Sequence, residues 1–542
     1  MKTIASSLSM LAAIMLTVVS CTGEKKKNSL SDTNMAADYI FTNGKINTVD
    51  DNNSIAEAVV VKDGKIVHVG STQKIQSLNL TDEKTKTIDL KGKMLMPGII
   101  DGHFHAGVGV ITEIGVNLLG TRTPEEAQTR IQDYIAKNPD KEVIFGFGLN
   151  MAGFTTKNSD GTFSGSPTKE FLDVINSEKP IFLISNSAHD ALANSATLEL
   201  IGINASTPDP HPGAHFYVRD HDGNPTGRLV EGSAFWSHLP ALNIGTLEQL
   251  KNGLPTLLNK LPAQGITTIF DAGAPSIERN AFQVVSEMKD SGTLPVRYFG
   301  SHYITSREDA QNAVADMQAL QKDFNSDMVR ASSIKFSNDG ITFMGPFIQF
   351  EEEEMQQYLG NLNDAGIDVM IHAINKSTIN EALNAIESVT SEKSNSRFTI
   401  THNTFLQMAD VPRFSQLGVI ADIQLAHDFP METPVAELFS SSAIVKISSD
   451  FPASGPVERA TPFVSLEKGR AFGVDIQSLV RAITIESAYH LRMENKLGSI
   501  EVGKQADLII LDQDITKIST DSLPNTKVLF TMVNGVVKHS EL

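Results

Sequence analysis

The sequence predicts an α/β fold: a parallel sheet closed into a barrel, a small β-sandwich subdomain built from both ends of the chain, and an inserted subdomain near the barrel mouth. Three observations carry the expectation. Short apolar strands alternate with amphipathic helices through the middle of the chain, as in Ala365 to Ile371 followed by Ile379 to Ile386, or Val419 to Leu425 followed by Val435 to Phe439. That alternation implies parallel strands joined by helical crossovers. Strand-rich stretches with turn signals stand at both ends, and the stretch from about 106 to 262 is too long for one strand-helix unit.

The first element is a leader. Lys2, the apolar run Leu11 through Val19 and the small Ser20 have the layout of a secretory signal. The run is too short to span a bilayer. Val18-Val19-Ser20-Cys21 resembles a bacterial lipobox, which implies a signal over 1–21 and a lipid on the Cys21 thiol. Cys21 is the only cysteine, so the chain forms no internal disulfide. Residues 22–36 are polar and lysine-containing and read as a flexible tether. The expected location is the bacterial cell envelope, lipid-anchored and facing periplasm or cell surface, with membrane contact through the lipid alone. A net charge of −19 argues against nucleic acid, whose phosphates would be repelled.

The next elements pair the two ends. Ala37 to Gly70 reads as short strands with hairpin turns at Asn43-Gly44 and Asp63-Gly64. Ala506 to Leu511 reads as a strand and Val528 to Val537 as a hairpin turning at Asn534-Gly535. Residues 37–95 and 497–542 are therefore expected to build one β subdomain around a barrel over 96–496.

Within the barrel, polar residues at strand ends draw notice, because a parallel barrel gathers those ends at one mouth. Met94 to Asp101 reads as an apolar strand running into His103 and His105. Residues two apart share a face, so both imidazoles can meet one cation. His372 ends the strand Ile367 to Ile371, His402 ends Phe398 to Thr401, and Asp450 follows Ile444 to Ser449. Each alone is unremarkable chemistry; four such His and one Asp, in the order successive strands would deliver them, suit zinc or a similar metal. Lys335, in Ser333 to Ser337, would be costly in an apolar barrel unless paired or modified.

Pro97-Gly98-Ile99-Ile100-Asp101-Gly102-His103-Phe104-His105 resembles the opening signature of the amidohydrolase superfamily. Ile371-His372, Thr401-His402 and Ser449-Asp450 match its later positions, and Leu497 to Leu508 resembles its return strand. Ser187-Ala188-His189 with Asn194-Ser195, and Ile334-Lys335 before Asp339-Gly340, are similar to the branch holding N-substituted formamide deformylases and YtcJ-like proteins. The resemblance implies a (β/α)8 TIM-type barrel. It implies His103, His105, His372 and His402 as ligands of one or two divalent ions, zinc foremost, with Asp450 as ligand or proton acceptor. It implies Lys335 as a carbamate bridging two ions, against a one-metal site with unmodified Lys335. His189 would polarise a substrate carbonyl, against a local capping role through Asn194.

The activity so implied is hydrolysis of a carbon–nitrogen bond in a small amide, formamide or cyclic amide by metal-activated water. A lactone, ester or phosphoester would suit the same site, and an inactive ligand-binding envelope protein is the third reading. Partners are then a small amide-like substrate and a second copy in a homodimer. Gly148-Leu149-Asn150, Asn375-Lys376 and Thr401 depart from the branch pattern, which leaves substrate choice and the orientation of the ligating imidazoles open. Of the fourteen His, His211, His215 and His221 read as solvated loop residues and His427 as a weaker pocket candidate. Glu231 and Asp339 are further pocket candidates. Phe147, Phe154, Phe336 and Phe347 read either as an apolar substrate surface or as packing. No Gly-x-Ser-x-Gly elbow, P-loop or dinucleotide fingerprint occurs, which disfavours serine-nucleophile and phosphate-cradle chemistry.

Overall fold

A computed structural model describes residues 36–542 except 155, 158–162, 343–344, 349, 391–393, 428–430 and 458–460. The leader, Cys21 and nearly all of the expected tether lie outside the described residues. The body is an eight-stranded sheet: β1 Ile99–Phe104, β2 Ile266–Asp271, β3 Arg297–Ile304, β4 Val329–Ser337, β5 Asp368–Ala373, β6 Phe398–His402, β7 Ile420–Ile423 and β8 Val445–Ile447. Neighbours run parallel in the order β8-β7-β6-β5-β4-β3-β2-β1. β1 and β8 meet at a seam beyond their paired ends. There Asp450 N–H donates to the His103 carbonyl at 2.7 Å and His105 N–H to the Phe451 carbonyl at 2.8 Å. The barrel is thus of the TIM type, closed on the side where β1 delivers its histidines.

Two further sheets share an apolar core that includes Phe41, Val59, Leu95, Leu508 and Phe530. One has four strands from the N-terminal region; the other has six, with Lys45–Asn47, Ile55–Ala56 and Met94–Pro97 beside Leu508–Leu511, Val528–Val533 and Val536–Ser540. Buried Arg297 of β3 donates twice to the Asp507 carboxylate, at 2.8 and 2.9 Å, and so joins this region to the barrel. A six-stranded sheet, from Val116–Asn117 to Pro225–Val230, occupies the chain between β1 and β2. Among the described residues no helix is long and apolar enough to cross a membrane.

Two expectations need correction. Asn43-Gly44 makes no hairpin: Tyr39–Thr42 pairs within the four-stranded sheet and Lys45–Asn47 within the six-stranded one. Asn43, at φ 55°, turns the chain from one layer to the other, and a Cβ on Gly44 would sit 2.2 Å from Leu90 Cδ1. Met94 to Asp101 is likewise not one strand, because Gly98 divides it between the terminal sheet and β1. A side chain there would meet Thr267 at 2.3 Å. Asp63-Gly64 and Asn534-Gly535 do turn hairpins, with positive φ at all four residues.

Candidate metal centre

The barrel mouth brings His103, His105, Lys335, His372, His402 and Asp450 to one cavity. His103 points inward from β1, and His105 stands at the N-terminal boundary of the helix Ala106–Ile114 that follows, its side chain making no capping hydrogen bond. Their Nε2 atoms stand 3.2 Å apart, and Asp450 Oδ1 lies 3.3 Å from the first and 3.2 Å from the second. His402 stacks edge-on to His372 with ring centroids 4.3 Å apart, and its Nδ1 lies 4.0 Å from Asp450 Oδ2. Lys335, 1% exposed on β4, reaches to 3.4 Å from His103 Nε2.

Hydrogen bonds on the far side of each ring fix which nitrogen faces the centre. His105 Nδ1 lies 2.6 Å from the Gly273 carbonyl, which only accepts, so Nδ1 carries the hydrogen. His103 Nδ1 lies 3.2 Å from the Asp422 carboxylate and makes the same assignment. Both Nε2 lone pairs therefore face the Asp450 oxygen, three acceptors in contact with one another. Ligands about 2.0–2.1 Å from a tetrahedral zinc stand roughly 3.4 Å apart, so this spacing fits a divalent cation. His372 Nε2, buried without a hydrogen-bond partner, is a further orphaned donor atom on the same wall.

Electrostatics agree. Burial, and next the Lys335 ammonium, hold His103 well below the ordinary imidazole range, and burial holds His402 at about 3. Both are neutral and able to ligate. Burial raises Asp450, and only positive charge on the surrounding imidazoles, His103 first, draws it well below the usual carboxylate range; with those imidazoles neutral, a cation is what the carboxylate lacks. Burial pulls Lys335 down to about 7, which leaves much of its amine neutral at physiological pH.

Two groups escaped sequence reasoning. Asp422 on β7 and Lys446 on β8 are fully buried and 3.0 Å apart beneath His103. Asp422 also accepts from Thr401 Oγ1 and Ser448 Oγ, each at 2.7 Å, and Lys446 donates to the Gly102 carbonyl at 2.7 Å. Thr401, a departure from the branch pattern, thus works with Asp422 to orient His103. Their signal was available: one charge inside each of two short apolar strands. Tyr303, at the end of β3 and lining the cavity, was missed as well; burial pushes its phenol well above the ordinary tyrosine range.

The inserted sheet supplies the cover. His189 Nδ1 is 3.0 Å from both Glu231 oxygens, and its ring stands 5.5 Å from that of His372. Burial would lower His189, yet the Glu231 carboxylate wins and raises it to about 9. Asn194 caps its own helix, Ser195–Leu200, without His189. His215 is not a solvated loop residue: it is 3% exposed, lines the cavity and lies with Nδ1 2.5 Å from Ser233 Oγ. His221 is exposed as expected. Asp339 accepts the backbone N–H groups of Ile374 and Asn375, just after His372. Phe147 and Phe336 pack in cores, Phe154 packs beside another, and the side chain of Phe347 lies outside the described residues.

The profile of the amidohydrolase family matches residues 86–539. The chain belongs to that family. It is a hydrolase acting on carbon–nitrogen bonds. This amidohydrolase is 26% identical over 546 residues to the N-substituted formamide deformylase of Arthrobacter pascens, covering 93% of this chain and 98% of that protein. It is 23% identical to YtcJ of Bacillus subtilis, covering 93% and 99%. An uncharacterized metal-dependent hydrolase from Pyrococcus horikoshii shares the fold, with TM-score 0.66, 20% identity, and coverage of 89% of this chain and 99% of that one.

Proposed function

We propose that the protein hydrolyses the carbon–nitrogen bond of a small amide, formamide or cyclic amide, with water as nucleophile. The observation that carries this is the Asp450 carboxylate, whose Oδ1 closes a triangle with the Nε2 atoms of His103 and His105 while Oδ2 lies 4.0 Å from His402 Nδ1 and 3.6 Å from His427 Nε2. His103, His105, His372, His402 and Asp450 would hold the cation, for which this nitrogen and oxygen set suits zinc. A bound divalent ion polarises the carbonyl and brings the pKa of a water down to about 7. Asp450 takes the proton from the attacking water and returns it to the departing nitrogen. Protonated His189, held by Glu231, faces the developing oxyanion.

Lys335, converted to a carbamate, would be a further residue able to hold the cation. Its neutral amine would attack CO2, a nitrogen–carbon bond forming as one carbon–oxygen π pair moves onto oxygen and one proton leaves to solvent, so that a carbamate anion replaces the amine. Anomalous scattering at the zinc edge, with density beyond Nζ, reads the number of ions and the modification together. The protein is held at the envelope through Cys21; Cys21→Ser should move it from the membrane fraction to the soluble one.

The decisive variant is Asp450→Asn. It should retain metal and lose turnover by about 10²–10⁴-fold. Full activity in that variant removes the proposed role.

A further inference from the structure

His105 is the ion-facing imidazole with the least support from its own element. His103, His372 and His402 stand within β1, β5 and β6, whereas His105 lies one residue past the end of β1, at φ −117° and ψ 77°. Its side chain is 19% exposed, against 0%, 7% and 9% for the other three. A ligand so placed keeps one ring orientation only if neighbouring elements hold it.

Asp271, the last residue of β2, holds it from two sides. Oδ1 accepts the Gly273 N–H at 3.0 Å, and the Gly273 carbonyl in turn accepts the His105 Nδ1 hydrogen at 2.6 Å. Oδ2 accepts the Gly107 N–H at 3.3 Å, two residues beyond His105 in the first turn of the helix Ala106–Ile114, where backbone donors have no partner within the helix. The hydroxyl of buried Tyr298 also donates to Oδ2. One buried carboxylate thus restrains both the backbone that carries His105 and the carbonyl that orients its ring.

Asp271 is not itself placed to ligate. Phe270 and Ala272 pack with Ile100, Phe299 and Met370, which the barrel interior brings together, and strand alternation turns Asp271 to the outer side of β2. Gly273 carries the link inward. It adopts φ 107°, and a Cβ there would stand 2.7 Å from Tyr303 Cβ, so the turn that aims its carbonyl at His105 needs glycine.

We propose that Asp271 is a positioning residue for the metal centre: through Gly273 and Gly107 it fixes the tautomer and the ring orientation with which His105 presents Nε2 to the ion. The inference rests on the cation assigned to the triangle of His103, His105 and Asp450. It adds to that centre a residue touching neither ion nor substrate.

The test measures zinc affinity of the full chain by chelator competition, together with the visible absorption of the cobalt(II)-loaded chain. Asp271→Asn should lower zinc affinity by about 10–100-fold, as loss of a partner behind a ligating imidazole does, and should shift the cobalt bands. In a His105→Gln background the same substitution should change affinity by less than about threefold, because the residue it acts through is gone. Tyr298→Phe keeps the carboxylate and loses one donor, which guards against misfolding of the first variant. Its smaller loss, about 2–10-fold for one hydrogen bond, should likewise vanish without His105. A merely structural role predicts equal losses with and without His105 and unmoved cobalt bands. That result, or zinc affinity unchanged in both variants, overturns the inference while the metal centre stands. A parent chain that binds no zinc removes both.

Discussion

Asp422→Asn is the sharpest perturbation of the scaffold beneath the metal. Asp422 is fully buried and receives Lys446 Nζ at 3.0 Å, hydroxyls from Thr401 and Ser448, and the His103 Nδ1 hydrogen. Neutralising it removes the carboxylate paired with the Lys446 ammonium, leaving only the more distant Asp101, and breaking a buried pair costs about 3–5 kcal/mol. Lys446→Met strands the carboxylate instead, at a similar cost. The double variant Asp422→Asn/Lys446→Met strands neither, so it should lose no more than one single variant, a coupling of about 3 kcal/mol. Unfolding entropy of about 2 cal/mol/K per residue makes 1 kcal/mol worth roughly 1 °C in a chain of this length, so each single variant should lower Tm by about 3–5 °C. Chelator competition should show metal affinity down by about 10–100-fold for Asp422→Asn, because His103 loses the partner that fixes its tautomer. Single-variant losses that add in the double variant to within about 0.5 kcal/mol would refute the account, since independent charges have no reason to couple.

Removing the metal should lower Tm, because His103 Nε2, His105 Nε2 and Asp450 Oδ1 then face one another uncompensated; added zinc should restore it in a concentration-dependent way. A Tm indifferent to chelator would argue against a cation at that triangle. The imidazolium of His189 persists to about pH 9, so kcat/KM should fall as pH rises through 9, and His189→Gln should lose that limb. The same raised pKa makes His189 a stabilising group below its unfolded value of about 6.5, with the contribution lost as pH rises through 9. Arg297→Leu should destabilise the chain by about 3–5 kcal/mol through the stranded Asp507, read by thermal unfolding, with little change in metal affinity.

The ligand set was legible because the barrel converts sequence order into proximity: each strand ends at one mouth, so a His or Asp at a strand terminus is already near the others. Interior strand charges obey the same logic one layer lower. Asp422 lies between Ala421 and Ile423, and Lys446 between Val445 and Ile447; on neighbouring parallel strands in register they must face the axis together. The cost that singles out Lys335 applies equally to Lys446, and pairing is the cheaper solution where a partner is in register. Asn43-Gly44 misleads because positive φ serves any sharp turn, and only the partner strands decide whether the chain folds back or crosses to another sheet. His215 misleads because loop composition does not report what the loop is packed against.

Backbone strain is the part of the site that sequence could not carry. Ala188 (φ 61°), Glu231 (φ 65°), His402 (φ 75°), Asn403 (φ 54°) and Asp450 (φ 54°) all adopt left-handed conformations, and four of the five line the cavity. Each such residue costs about 1–3 kcal/mol, which persists only where surrounding contacts over-determine it. Those contacts are present: Asn403 Nδ2 donates to the Ile400 and Asp422 carbonyls at 2.7 and 3.1 Å, Asp450 N–H is held by the His103 carbonyl, and Glu231 N–H by the His189 carbonyl at 2.7 Å. None of these partners is a neighbour in sequence to the residue it restrains except Ile400. Glycine would relieve the strain at Asp450 and His402 but remove the side chains the chemistry needs, so the fold bears the cost at the positions where a polar group must leave a strand end and turn toward the mouth.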